Sequence, residues 1–223
     1  MTADFDLLVF DILGTLVDEP GGLHRAIGEI ATEGIEELAD LWLNHVTVKQ
    51  EAIVDGREPF VPSDIIDREA AEIVAAACGV TDPAAIARLA QAERRLDPWP
   101  DTAASLERLA QRFPLVGLSN ASRSALPHLN SAAGLRWHFL LSAEDARTYK
   151  PAPEVYKLAV DLAATAPDRL LMVAAHSWDL RGAQAVGMRT AYVQRPVGDP
   201  PRESDDFDYR AGNLADLATA LGA

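Results

Sequence analysis

Four short clusters of polar residues in this chain could do chemistry together. Asp11 closes the apolar run Leu7-Leu8-Val9-Phe10 and is followed by Gly14 and Thr15. Ser119-Asn120 closes a second run from Leu115 to Leu118. Lys150 stands within Tyr149-Lys150-Pro151-Ala152-Pro153, and Asp179 ends His176-Ser177-Trp178-Asp179 after the run from Leu170 to Ala175. Apolar runs this short read as strands buried on both faces rather than as helices. A carboxylate at the carboxyl end of such a strand opens on the crevice where parallel sheets bind ligands, which makes Asp11 a candidate nucleophile. Alone, Asp11 could equally cap a turn, with Gly14 supplying an unusual dihedral. A carboxylate nucleophile must stay ionised in a dry pocket, and Lys150 can supply the cation. An ammonium about 4 Å away contributes on the order of 4 kcal/mol at an effective dielectric of 20. One polar group at a strand end is common; four at the same edge of one sheet make a site.

The elements that must position these groups follow from the same patterns. After Asp18, Glu19-Pro20-Gly21-Gly22 reads as a loop, and from Leu23 to about Asp97 only helical patterns occur. Leu38, Leu41, Trp42 and His45 fall at helical spacing. Ser63 is placed to cap a segment running to Cys78, with Ile65, Ile66, Ile73 and Val74 as its apolar face and Gly79 as its stop. Asp82-Pro83 opens a third helix. Asp97-Pro98-Trp99-Pro100 ends this all-helical insert, and strands then alternate with helices. Asp101 is expected to cap a helix through Arg112, and a helix after Asn120 to run to about Asn130. Phe139 to Leu141 is a short strand, and Pro153 starts a helix burying Val155, Leu158, Ala159 and Leu162. A helix from Asp179 to Gly187, a strand from Thr190 to Val193, a polar loop from Pro196 to Tyr209 and a last helix capped by Asn213 complete the chain. The alternation predicts an α/β fold, a Rossmann-like doubly wound parallel sheet built from residues 1–18 and 98–223, interrupted by helices over 19–97.

With 223 residues the chain can bury a large core, and its single Cys78 cannot form an internal disulfide. No stretch has the form of a targeting segment or reaches bilayer-spanning length, so a soluble, cytoplasmic protein with no membrane association is expected. The formal net charge of −14, spread over the whole chain, repels nucleic acid. A small anionic substrate stays compatible with it, because local cations outweigh distant charge screened over about 8 Å.

In combination the clusters resemble the haloacid dehalogenase superfamily. The resemblance rests on Phe10-Asp11-Ile12-Leu13-Gly14-Thr15-Leu16-Val17-Asp18, Leu118-Ser119-Asn120, Tyr149-Lys150-Pro151-Ala152-Pro153-Glu154-Val155-Tyr156 and Ala174-Ala175-His176-Ser177-Trp178-Asp179, in that order. It implies that residues 19–97 form a helical cap over the site. Most members are phosphatases with a second aspartate two places after the nucleophile and a magnesium site. Leu13 stands at that place here, so the proton donor for an alkoxide is missing. The pattern is closest to the metal-free 2-haloacid dehalogenases acting on L-configured substrates, since a halide leaves without a proton. The resemblance implies attack by Asp11 on the halogen-bearing carbon, an ester on the enzyme, and hydrolysis to a 2-hydroxy acid with no cofactor or metal. Lys150 would hold Asp11 ionised, and Asp179 would hold Lys150 and help activate water. Leu13, Thr15, Ser119 and Asn120 would line the substrate, Tyr156 would orient Lys150, and Trp178 and Phe60 would form walls. An exposed cap face could support a homodimer, as in related enzymes.

Two departures mark the chain. Dehalogenases of this kind usually have an arginine after a cap Leu-Trp pair, and here Leu41-Trp42 is followed by Leu43. Arg57 or Arg68 could supply the charge from elsewhere in the cap, although a solvated face suits both better. Ala174-Ala175-His176 replaces the serines and asparagine often found there; His176 could donate to the substrate or the leaving halide, or be satisfied by neighbouring backbone. Two other functions fit the same residues. A phosphatase or phosphonatase sibling predicts magnesium-dependent phosphate release, and a small-carboxylate binder that has lost turnover predicts saturable binding without product.

Overall fold

The computed structural model describes residues 5–223. Six strands, β1 (Leu7–Phe10), β2 (Leu115–Ser119), β3 (Phe139–Ser142), β4 (Leu170–Ala174), β5 (Arg189–Val193) and β6 (Tyr209–Ala211), form one parallel sheet in the order β3-β2-β1-β4-β5-β6. The chain steps outward from β1 to β3 and then restarts on the other side of β1 at β4. Asp11 therefore sits where the strand order reverses, the crevice in which open α/β sheets bind ligands.

Alternation along the buried strands builds two cores from one sheet. Leu8, Phe10, Leu115, Leu171 and Val173 face one way, under α5 (Thr102–Ala110), α6 (Leu126–Ala132) and α9 (Leu214–Ala220). Leu7, Val9, Val116, Leu170 and Met172 face the other, under α7 (Pro153–Ala163) and α8 (Ser177–Ala185). The long interval between β1 and β2 holds α1 (Glu19–Gly28), α2 (Ile35–Val54), α3 (Ser63–Ala77), α4 (Pro83–Leu89) and a 3-10 turn, Ala92–Arg95. These helices enclose a third apolar cluster around Leu23, Ile27, Trp42, Ala70 and Val74, while Ile53 and Ile66 reach across to the second core. Hydrogen bonds stitch the insert to the sheet's edge: Tyr149 Oη donates to the Val61 carbonyl at 2.6 Å, and the Ser122 amide donates to Ser63 Oγ at 2.8 Å.

Several local expectations need correction. Glu19-Pro20-Gly21-Gly22 is the first turn of α1, because Asp18 accepts from the Gly21 amide and Pro20 suits a helix start. Ser63 does not cap α3: Pro62 occupies the cap position, and the Ser63 hydroxyl serves Ser122 instead. Asp101 precedes α5 without a capping bond, since its carboxylate binds Arg195 and the Leu214 amide. α5 ends at Ala110, Leu162 is exposed rather than buried, and the loop taken to end at Tyr209 yields there to β6.

One seam of the insert buries acids that keep their protons. Asp67 on α3 is buried, and Glu93 in the 3-10 turn has a buried Oε2 with no hydrogen-bond partner among the described residues. Burial, with Glu19 and Asp64 nearby, pushes the Glu93 carboxyl up to about 8. The folded protein thus holds protons that the unfolded chain has lost, and stability falls as pH rises from about 4.5 through 8. Glu93→Gln should gain about 1 to 2 kcal/mol at pH 8.5 and almost nothing at pH 5, which urea melts at the two pH values will measure.

Candidate active site

β1 delivers Asp11 to the crevice, and the turn after it folds back so that both carboxylate oxygens are engaged. Lys150 Nζ donates to Oδ1 at 3.0 Å, and Thr15 Oγ1 donates to Oδ2 at 2.6 Å while accepting from the Ala175 amide at 2.9 Å. That last bond ties the β1 turn to the end of β4. Lys150 Nζ donates also to Asp179 Oδ2 at 2.8 Å, and Tyr156 Oη donates to Asp179 Oδ1 at 2.7 Å. Lys150, Tyr156 and Asp179 are buried, and Asp11 is 6% exposed. Gly182 on α8 leaves the room that the Tyr156 phenol fills, since a Cβ there would collide with it.

The charges are set by these neighbours. Burial works against the Lys150 ammonium, but Asp11 and Asp179 outweigh it and hold the group above its ordinary range. Burial raises Asp179 against the opposing pull of Lys150. Burial, then the Asp179 charge, raises the Tyr156 phenol, so it stays a donor. The result is that Asp11 is held by a cation that is itself anchored from behind.

Around this centre the expected residues take different places. Ser119 is buried, and its Oγ accepts from the Ala121 amide at 3.1 Å. Asn120 accepts from the Lys150 amide and donates to Gln50 Oε1 on α2, both at 2.9 Å, so it links the sheet to the insert. Leu13 packs half-buried on the first core. Phe60 lies 5.6 Å, ring to ring, from Tyr149, the neighbour of Lys150. Trp178 stacks 5.7 Å from His176 and, with Gln50, Val54, Lys150, Pro151 and Asp199, lines a groove of about 730 Å³ between α2 and the strand-end loops. Leu43 is half-buried in the insert's own apolar cluster. Arg57 is exposed and paired with Asp55, and Arg68 lies on an outer groove with Asp64 and Glu72. Neither arginine is in the site.

Three contributors escaped the sequence reading. Asp199 Oδ2 lies 2.8 Å from His176 Nδ1, although Asp199 belongs to a stretch with no signal beyond polarity. Glu19 lies close enough to Asp11 and His176 to feel both charges, and burial lifts its carboxyl to about 7 despite His176. An acid directly after the capping Asp18 was the available clue. Arg195, buried beside Trp99, donates from Nε to the Thr15 carbonyl at 2.7 Å and pairs with Asp101, bracing the β1 turn.

The magnesium that much of this superfamily uses does not fit these residues. The Lys150 ammonium occupies the space between Asp11 and Asp179 that a divalent ion would need, and Leu13 offers no side-chain oxygen. Among the described residues, no group of three or more His, Cys, Asp or Glu side chains is placed to hold a metal ion. Among them, too, no helix is long and apolar enough to cross a membrane.

Comparison with known proteins agrees with this geometry. The haloacid dehalogenase-like hydrolase family matches residues 5–187. An (S)-2-haloacid dehalogenase of Pseudomonas putida is 32% identical over 193 residues, covering 84% of this chain and 85% of its own. A crystallised L-2-haloacid dehalogenase superposes with a TM-score of 0.89 at 31% identity, over 98% of this chain and 99% of its own. A second, described as defluorinating, has a TM-score of 0.89 at 29% identity, over 98% and 96%. Agreement of this extent, in sequence and in fold, means that the chain belongs to the haloacid dehalogenase-like hydrolases, among the 2-haloacid dehalogenases.

Proposed function

We propose that the protein hydrolyses a short 2-haloalkanoic acid, without a metal, through an ester on Asp11. The observation that carries this reading is the Lys150 ammonium set between Asp11 and Asp179, which leaves Asp11 a charged nucleophile and no proton donor for an alkoxide at position 13. An Asp11 oxygen attacks the halogen-bearing carbon from behind. The carbon–halogen bond breaks, its electron pair leaves with the halide, and an ester forms. Water, activated beside Asp179, then adds to the Asp11 carboxyl carbon. One of its protons goes to the departing 2-hydroxy acid and the other to solvent, and the Asp11 carboxylate is restored. Inversion at the attacked carbon is the stereochemical consequence.

Residues 19–97 serve as the cap in this reading, supported by the separate apolar cluster and by the Asn120–Gln50 bond at the groove. Thr15, Ser119 and the backbone around Asn120 bind the substrate, with Phe60 and Trp178 as walls. Exposed Leu41 and Val48 on α2 would suit a homodimer interface.

The test is halide release from short 2-haloacids of both configurations, with fluoroacetate included and a chelator present. Release from (S)-substrates that survives chelation, with an (R)-hydroxy acid as product, is the expected result. Magnesium-dependent phosphate release together with silence on every haloacid would replace this reading with the phosphatase one.

A further inference from the structure

An anionic substrate needs a cation that is not already spent, and most cations near this site are spent. Lys150 is shared between two carboxylates, Arg195 is held by the Thr15 carbonyl and Asp101 with only its buried Nη2 left without a partner among the described residues, Arg57 pairs with Asp55, and the cap offers Leu43. His176, over Gly14, has a ring nitrogen to spare. Its Nδ1 is taken by Asp199 at 2.8 Å, whereas its Nε2 makes no hydrogen bond with the described residues and lies over Gly14, in space that a side chain there would fill. Gly14, at φ +71°, leaves the room that the edge of the His176 ring takes up.

The partner is built in rather than incidental. The Asp199 amide donates to the Ala175 carbonyl at 3.1 Å, and its own carbonyl accepts from the Ser177 amide at 3.0 Å and from Ser177 Oγ at 2.7 Å. The loop after β5 is thereby pinned to the end of β4, with its carboxylate against the imidazole. The pair is also polarised. The Asp199 side chain is 56% exposed and its charge is screened by water, whereas that of His176 is only 19% exposed. The other charged groups facing the ring are Asp11 after β1, Glu19 on α1 and Asp179 on α8.

We infer that His176, kept an imidazolium by Asp199, is the donor that receives the compact anionic end of the substrate, from the sheet side rather than from the cap. Asp199 is then a positioning residue that acts through His176. Burial opposes the charge on His176, but Asp199, with Asp11, Glu19 and Asp179 adding, brings its pKa up to about 9. The inference deepens the dehalogenase reading by naming what holds the anion, and it rests on that reading for the identity of the substrate.

The experiment is nitrogen-detected NMR of the imidazoles in the whole protein, with His176 assigned by the loss of its signals in His176→Gln. In wild type, both His176 nitrogens should stay protonated through pH 8. Its Nε2 signal should move on adding bromide or acetate, two arms that separate a halide subsite from a carboxylate subsite. Asp199→Asn, which keeps size and hydrogen bonding, should lower the midpoint of the titration by about one pH unit or more. It should also raise KM for a haloacid about tenfold at pH 8.5, with KM recovering at pH 6.5 where the ring protonates unaided. A His176 that titrates near 6.5 in wild type, that ignores both anions, or whose Asp199→Asn penalty is the same at both pH values overturns the inference. The NMR arms need no turnover, so a silent haloacid panel beside a normal His176 response would sink the dehalogenase reading alone. They also decide the matter if Asp199→Asn fails to fold.

Discussion

Asp11→Asn should give a folded protein whose halide release falls by about 10⁴-fold or more, to the background of uncatalysed hydrolysis. An amide oxygen carries no charge to drive displacement at carbon. The amide also disturbs the donors: with Oδ1 kept on Lys150, its NH₂ faces Thr15 Oγ1, which now donates to Oδ2 and already accepts from the Ala175 amide. The fold should survive, because Lys150 keeps Asp179 as a partner. Isotope labelling separates loss of a nucleophile from loss of a mere electrostatic anchor. In wild type turning over in heavy-oxygen water, water adds to the Asp11 carboxyl carbon, so label should enter the peptide carrying Asp11 in the first turnover and reach product only in later ones. Label entering the product in the first turnover, with none in that peptide, would mean that water attacks the substrate directly and that Asp11 only guides it.

Lys150→Met carries the largest expected cost to stability, about 3 to 5 kcal/mol, together with loss of turnover. The substitution keeps an unbranched side chain of similar length and removes only the charge and its donors. Two buried carboxylates, Asp11 and Asp179, are then left facing each other without a counter-ion, and the cheapest escape is to protonate one of them. A carboxyl whose folded-state pKa rises binds a proton that the unfolded chain has released, so the variant's stability should drop as pH rises from about 4 toward 7. Urea melts of both proteins at pH 4.5 and 7.5 measure this: the gap between wild type and Lys150→Met should be small at the lower pH and full at the higher. A gap independent of pH would mean that Lys150 contributes packing rather than charge.

The strand ends explain why so much of this site could be read in advance. Asp11, Ser119 and Asp179 follow apolar runs that can only be buried strands, and a parallel sheet sends all their ends to one edge. Lys150, 139 residues from Asp11, was placed by the same logic, with Pro151 and Pro153 marking a stiff loop, and it lands 3.0 Å away. The doubly wound sheet and the helical insert were legible from the change of hydrophobic period near residues 19 and 98. Two of the errors fell where a polar side chain had a choice of partners. Ser63 and Asp101 look like caps, but each finds a remote partner, in Ser122 for one and in Arg195 and Leu214 for the other.

By itself, then, the sequence determined the alternation that builds the sheet, the absence of a proton donor at Leu13 and of a cap arginine at Leu43, and the acids and the lysine that carry charge to the crevice. Only the tertiary structure decided that the loop after β5 folds back to set Asp199 against His176, that α2 offers Gln50 to Asn120, and that Glu19 comes close enough to Asp11 to feel its charge. The physical reason is one of range. Period and strand ends are written in neighbouring residues, whereas the partner of a polar side chain depends on how remote elements pack, and no local pattern records that.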